Sequence, residues 1–315
     1  MRTERLNTAP HIAGAGVCCL DHIVIAPQIA WGESTHVSNY FAQGGGLVAT
    51  ALVACARLGA RCDLFSLVGD DQVGDQIVAE LVAEGVATAG VMRIEGSSPF
   101  SLIHVDEHSG ERTIFHRTGR GLEWHPGAHD LRAIGKCDVL LIDHVYPALA
   151  LAAADEARAH GVPVVADVMP SARNAELLRR VDVLIAPRHF ARAIGCKGDL
   201  DAALDAIHEL GPTTAVITLG ADGWVSSDSS GRGRGSAFQV EVVDTTGAGD
   251  VFHGAFAYGL ARGWDTARCA EFASAVAAIK CTKPGGRTGL PSLAQAVAFL
   301  RERSRLDWSG VVDER

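Results

Sequence analysis

The sequence predicts a doubly wound α/β fold, a mostly parallel sheet flanked by helices. Three observations carry this. Short apolar runs alternate with stretches of helical periodicity along nearly the whole chain. Several of those runs lack in/out alternation, as parallel strands buried on both faces do. Acidic residues fall at or just beyond the ends of three of them, Asp21, Asp143 and Asp167, where open α/β sheets bind their ligands.

In chain order, strands are expected at Ile12–Cys19, Asp63–Val68, Val139–Asp143, Pro163–Asp167, Val181–Ile185 and Ala215–Leu219. Helices are expected over 45–58, 72–84, 148–160, 200–210, 250–262 and 267–281. Glycines at 59, 85, 161, 211 and 263 stand where left-handed stops would close five of these. Residues 22–43 and 96–122 break the alternation and read as extended chain. Within the second, Phe100–Val105 and Arg112–His116 flank the turn Glu107-His108-Ser109-Gly110 and predict a hairpin.

Bulk properties narrow the function. At 315 residues there is ample chain for a core, organised as one α/β domain over 1–315. A net charge of −9 without a Lys/Arg cluster argues against nucleic acid or an anionic membrane as partner. No apolar run is long enough to span a bilayer, and Met1–Pro10 is too polar for a signal peptide. The eight cysteines lack a Cys-x-x-Cys pair and read as small buried hydrophobes in a reducing compartment, so the expected location is cytoplasmic.

The chemistry concentrates in Val243-Asp244-Thr245-Thr246-Gly247-Ala248-Gly249-Asp250. This string runs into an apolar-periodic helix, with Phe252, Phe256 and Leu260 at four-residue steps. Gly247, Ala248 and Gly249 leave the backbone N–H groups at the helix start open to an anion. Asp250 follows as a carboxylate at the lip of that hole, which is what phosphoryl transfer to a hydroxyl requires. The plainer reading, a tight turn with a first-turn helix acid, does not account for Asp244, Thr245 and Thr246.

This string resembles the C-terminal signature of the ribokinase/PfkB family of carbohydrate kinases, Asp-Thr-x-Gly-Ala-Gly-Asp-x-Phe. Gly44-Gly45-Gly46-Leu47-Val48-Ala49-Thr50 resembles its N-terminal signature, and Thr218-Leu219-Gly220-Ala221-Asp222-Gly223 its nucleotide-side turn. The resemblance implies a ribokinase-like fold in which 22–43 and 96–122 form a small β lid, a homodimer joined through that lid, and transfer of the γ-phosphoryl of ATP to a sugar. Asp250 would be the base, taken here as weak because a helix N-terminus lowers its pKa. Gly247, Ala248 and Gly249 would form the anion hole. Asp21, Gly45, Gly46, Thr50 and Asp143 would hold the sugar, and Thr218, Gly220, Gly223, Lys283 and Gly286 the nucleotide. Mg²⁺ accompanies ATP, with Asp167 near it through water. Asp244 and Thr246 match positions that give oxygens to K⁺, though Asp244 equally reads as a turn cap.

There are departures. Thr50 stands where the family usually has Asn. Ala186-Pro187-Arg188-His189-Phe190-Ala191 lacks the family's Asn-x-x-Glu, leaving Arg188 either to reach phosphate or to sit in solvent. The stretch from Phe272 to Arg287 resembles sulfofructose kinases, but His144 and Val145 follow Asp143 where a sulfonate-binding arginine is expected. Thr113-Ile114-Phe115-His116-Arg117 is similar to a string in 2-keto-3-deoxygluconate kinases that meets the substrate carboxylate. It makes Arg117 a candidate for an acidic substrate, with a neutral ketose as the alternative. A catalytically weak sugar- or nucleotide-binding protein is the competing reading. A dinucleotide dehydrogenase fails because Gly14-Ala15-Gly16-Val17-Cys18-Cys19 lacks the last glycine of the fingerprint.

Overall fold

The computed structural model describes residues 8–311 apart from 28, 30, 31, 170 and 172. Met1–Asn7 and part of the expected lid segment 22–43 therefore lie outside the described residues.

The chain opens with β1 (His11–Ala15), β2 (Cys19–Ala26), β3 (Asn39–Gly45), α1 (Leu47–Arg57), β4 (Arg61–Gly69), α2 (Gln72–Ala83) and β5 (Val86–Ile94). A hairpin follows, β6 (Phe100–Asp106) and β7 (Arg112–Arg117), and then β8 (Val139–Asp143), α3 (Pro147–Ala159) and β9 (Val164–Asp167). Next come α4 (Ala175–Leu178), β10 (Val183–Pro187), α5 (His189–Ala193), α6 (Leu200–Glu209), β11 (Thr214–Thr218), β12 (Trp224–Asp228) and β13 (Gly231–Gly235). The C-terminal helices are α7 (Ala248–Ala261), α8 (Thr266–Lys280) and α9 (Leu293–Arg303).

Nine strands form one sheet in the order β13-β12-β11-β10-β9-β8-β1-β4-β5. The run from β11 to β5 is parallel, and β12 and β13 add an antiparallel edge. Both faces are covered. Ile12, Leu64, Leu141, Val165 and Ile185 pack toward α1, α7 and α8, while Ala13, Phe65, Leu140, Val164 and Leu184 pack toward α3 and α6. Burial on both sides removes the alternation that a half-exposed strand would show. All five glycines expected to stop helices have positive φ, and none of the described helices is long and apolar enough to cross a membrane.

Two expectations need revision. Ile12–Cys19 is not one strand. The chain leaves the main sheet at Gly16, where a side chain would collide with Asp143, and Asp143 Oδ2 accepts the Val17 N–H at 2.7 Å. From Cys19 it joins a second sheet of order β3-β2-β6-β7. The helix expected from residue 45 begins only at Leu47, because Gly45 ends β3 and Gly46, at φ 96°, caps α1. Strands β5, β12 and β13 and helices α4, α5 and α9 fall outside the expected elements; α9 carries a complete Ser292/Gln295 capping box.

Candidate active site

The sheet order reverses at β1, whose neighbours are β4 on one side and β8 on the other. The carboxyl ends of β1, β8 and β9 there meet the N-terminus of α7, and the second sheet rises from the same place.

Gly247 takes the left-handed conformation at φ 73° that starts α7, and a Cβ on it would lie 3.0 Å from Gly286 Cα. Loop 283–289 is thus packed against the anion loop, with Gly286 buried and Lys283 exposed. Gly249 is exposed, and a Cβ there would meet nothing within 4 Å. Asp250, one residue on, has its carboxyl pushed well above the ordinary value, by burial first and then by the charges of Asp167 and Asp21. Arg112 and Asp143 also act on it, in opposite directions. The expected lowering by the helix dipole is overturned, because desolvation and neighbouring carboxylates outweigh a half-charge at a helix end.

At the start of the second sheet, Asp21 is 8% exposed, and its Oδ1 accepts the Cys19 thiol at 3.2 Å. Burial raises its pKa while Cys19, Ser101 and Arg287 pull it back. A side chain at Gly45 would collide with this carboxylate. Thr50 is 2% exposed, and its hydroxyl accepts from Arg287 Nε at 3.4 Å. Arg287, which sequence reasoning missed, is buried and donates to Gly45 O at 2.9 Å, tying loop 283–289 to the glycine turn. Asp143 is fully buried, and its two oxygens accept Val17 N–H and Val145 N–H, so it fixes the turn after β1 and offers no exposed surface to a sugar. Burial brings its pKa to about 6.

The hairpin register decides the fate of Arg117. Paired residues share a face. Asp21 lies level with Ser101 and His116, whereas Arg117 pairs with Phe100, one residue out of phase and on the other face. Arg117 donates to Ser97 Oγ at 2.9 Å and sits over the Phe100 ring, outside the cleft. Arg112 is in phase with Ile25 and Val105 on the Asp21 face, and its Nη1 donates to Thr245 Oγ1 at 2.6 Å. The hairpin tip therefore reaches the anion loop through an arginine the sequence reading passed over.

Thr218 ends β11, and the turn Gly220–Asp222 closes at Gly223, where a side chain would collide with Gly235 O. Arg188 is exposed, as the surface alternative expected, and from there it donates to Leu219 O and to Asp222, bracing this turn. Asp167 lies beside Asp143 in register on β9. Among the described residues no three His, Cys, Asp or Glu side chains form a metal cluster. Asp244 and Thr246 do come together, but their carbonyls are taken by Lys280 Nζ, an arrangement that does not fit a K⁺ site.

The fold agrees with the comparisons with known proteins. The ribokinase of Haemophilus influenzae is 30% identical over 294 residues, covering 89% of this chain and 95% of its own. A 2-dehydro-3-deoxygluconokinase of Thermoproteus tenax is 28% identical over 86% of this chain and 89% of its own. Arabidopsis thaliana ribokinase, crystallised with ribose and ATP, superposes with a TM-score of 0.83 over 93% of this chain and 99% of its own, at 23% identity. The profile of the pfkB family of carbohydrate kinases matches residues 13–293, and the chain belongs to that family.

Proposed function

We infer that this carbohydrate kinase moves the γ-phosphoryl of ATP to a hydroxyl of a neutral sugar, with Asp250 accepting the hydroxyl proton. The observation that carries the reading is Asp250 itself. It stands at the start of α7 behind a left-handed glycine, with a carboxyl whose raised proton affinity suits a base. The N–H groups of the Gly247–Gly249 turn would stabilise the phosphoryl charge, and Asp21 beside Gly45 would receive sugar hydroxyls. Mg²⁺ would be carried in with ATP, with Asp167 as its nearest protein carboxylate.

A neutral substrate is favoured because Arg117, the residue that argued for an acidic one, lies on the far face of the small sheet. Arg112 faces the cleft but is bonded at the anion loop, on the phosphate side. An ATP-consumption screen over pentoses, ketoses, sulfofructose, 2-keto-3-deoxygluconate and nucleosides tests this. A neutral sugar should give the highest kcat/KM. Preference for a sugar acid or sulfonate would overturn the substrate class, and silence across all of them would favour a binding protein.

The small sheet would act as a lid. Its outer face exposes Tyr40 (57%), Leu102 (44%) and Phe115 (57%), a patch suited to the same face of a second copy.

A further inference from the structure

Lys280 ends α8 and is entirely buried. A buried ammonium needs partners, and this one has two backbone carbonyls. Nζ donates to Asp244 O at 2.8 Å and to Thr246 O. These belong to the two residues from which the family resemblance would draw oxygens for K⁺. The Asp244 carboxylate is not free either. Its Oδ1 accepts Thr246 N–H and its Oδ2 accepts Gly285 N–H, both at 2.7 Å. Thr246 Oγ1 is left buried without a partner, and one hydroxyl oxygen does not make a cation cage.

We propose that the Lys280 ammonium is a tethered replacement for a monovalent cation, holding the anion loop in its phosphate-binding shape without K⁺. The proposal rests on the kinase reading above. Its physical basis is the trans peptide, in which a carbonyl and the following N–H point in opposite directions. Pulling Thr246 O toward Nζ aims the Gly247 N–H the other way, out of the loop. The same holds for Asp244 O and the Thr245 N–H. A soluble ion would do this only while bound; a lysine at the end of α8 does it permanently. Its charge also complements the carbonyl end of that helix. Burial lowers its proton affinity, while Cys281 and Asp244 restore part of it.

The test compares native protein with Lys280→Ala, which vacates the ammonium position. Native turnover should change less than about twofold when KCl replaces tetramethylammonium chloride. Crystals of native protein soaked in RbCl should show no anomalous peak between Asp244 O and Thr246 O. Lys280→Ala in tetramethylammonium should lose on the order of tenfold or more in turnover. It should recover part of this in KCl or ammonium chloride, and acquire the rubidium peak. A rubidium peak in the native crystal, or tenfold activation of native enzyme by K⁺, would overturn the proposal. So would a folded Lys280→Ala with native rates in tetramethylammonium. The native arms stand if the variant does not fold. The rubidium experiment needs no turnover, so a failure of the kinase reading would be seen separately.

Discussion

Gly249→Ala separates phosphate binding from folding. Gly249 is the second residue of α7, its φ is not positive, and a Cβ there meets no protein atom within 4 Å. Replacing a helical glycine by alanine removes unfolded-state entropy and should stabilise by about 0.5–1 kcal/mol, raising Tm by roughly 1–3 °C for a chain of this size. Helical Cβ atoms tilt toward the N-terminus, which is where an anion on this helix would sit. A methyl group there would push the phosphoryl group outward by about 1 Å, a displacement able to cost about 10²-fold in rate, or about 2.7 kcal/mol of barrier. Thermal unfolding and coupled ADP release, measured on the same preparation, read the two effects. Higher stability with much lower kcat is expected. Higher stability with unchanged kinetics would show that the loop does not hold phosphate. Gly247→Ala lacks this clarity. At φ 73° and 3.0 Å from Gly286 Cα it should lose about 1–2 kcal/mol from the left-handed backbone alone.

Asp250→Asn should lower kcat roughly 10²–10⁴-fold with ATP affinity little changed; retention of most turnover would remove Asp250 from the chemistry. As the proposed base Asp250 would act in its ionised form, and burial raises its pKa. The rate should therefore be present above that pKa and lost as pH falls through it, at a pH above the ordinary carboxylate range near 4, and an acid limb at or below 4 would contradict the burial argument. Arg112→Ala should reduce kcat on the order of tenfold or more, whereas Arg117→Ala should leave kcat and both KM values within about twofold; the reverse ranking would mean the hairpin register in solution differs by one residue. Phe115→Lys should convert a homodimer to a monomer in sedimentation velocity, and a native chain that is already monomeric would refute assembly through this face.

The parallel strands were legible because burial on both faces leaves continuous apolar runs, and the helix ends because glycine is the usual left-handed stop. The turn into α7 was legible because small residues and a carboxylate fall within it. What was hidden depends on partners far away in sequence. The break at Gly16 is imposed by Asp143, 126 residues from the N–H it accepts. Arg117 and Arg112 differ in face by hairpin phase alone, and a one-residue change of phase reverses every side chain of a strand. Nothing in the sequence marks Lys280 or Arg287 as buried. Only the fold shows Lys280 between the carbonyls of Asp244 and Thr246, and Arg287 against Gly45 O and the Thr50 hydroxyl.

The position of β1 bears on how the protein is made. This strand precedes the others yet lies inside the sheet, between β8 and β4, and its partner β8 begins 124 residues after it ends. At roughly 5–20 residues per second, a ribosome needs about 6–25 s to deliver that partner. In the meantime β1 can pair with β4 on one side, while its other edge, with Ile12 to Ala15 wholly apolar, has no strand to meet. Nascent chains stalled before residue 139 should recruit chaperones along that edge and those stalled well beyond β8 should not, as crosslinking would show. For this kinase the vulnerable interval is set by topology, and a long N-terminal segment emerges before its first strand is enclosed on both edges.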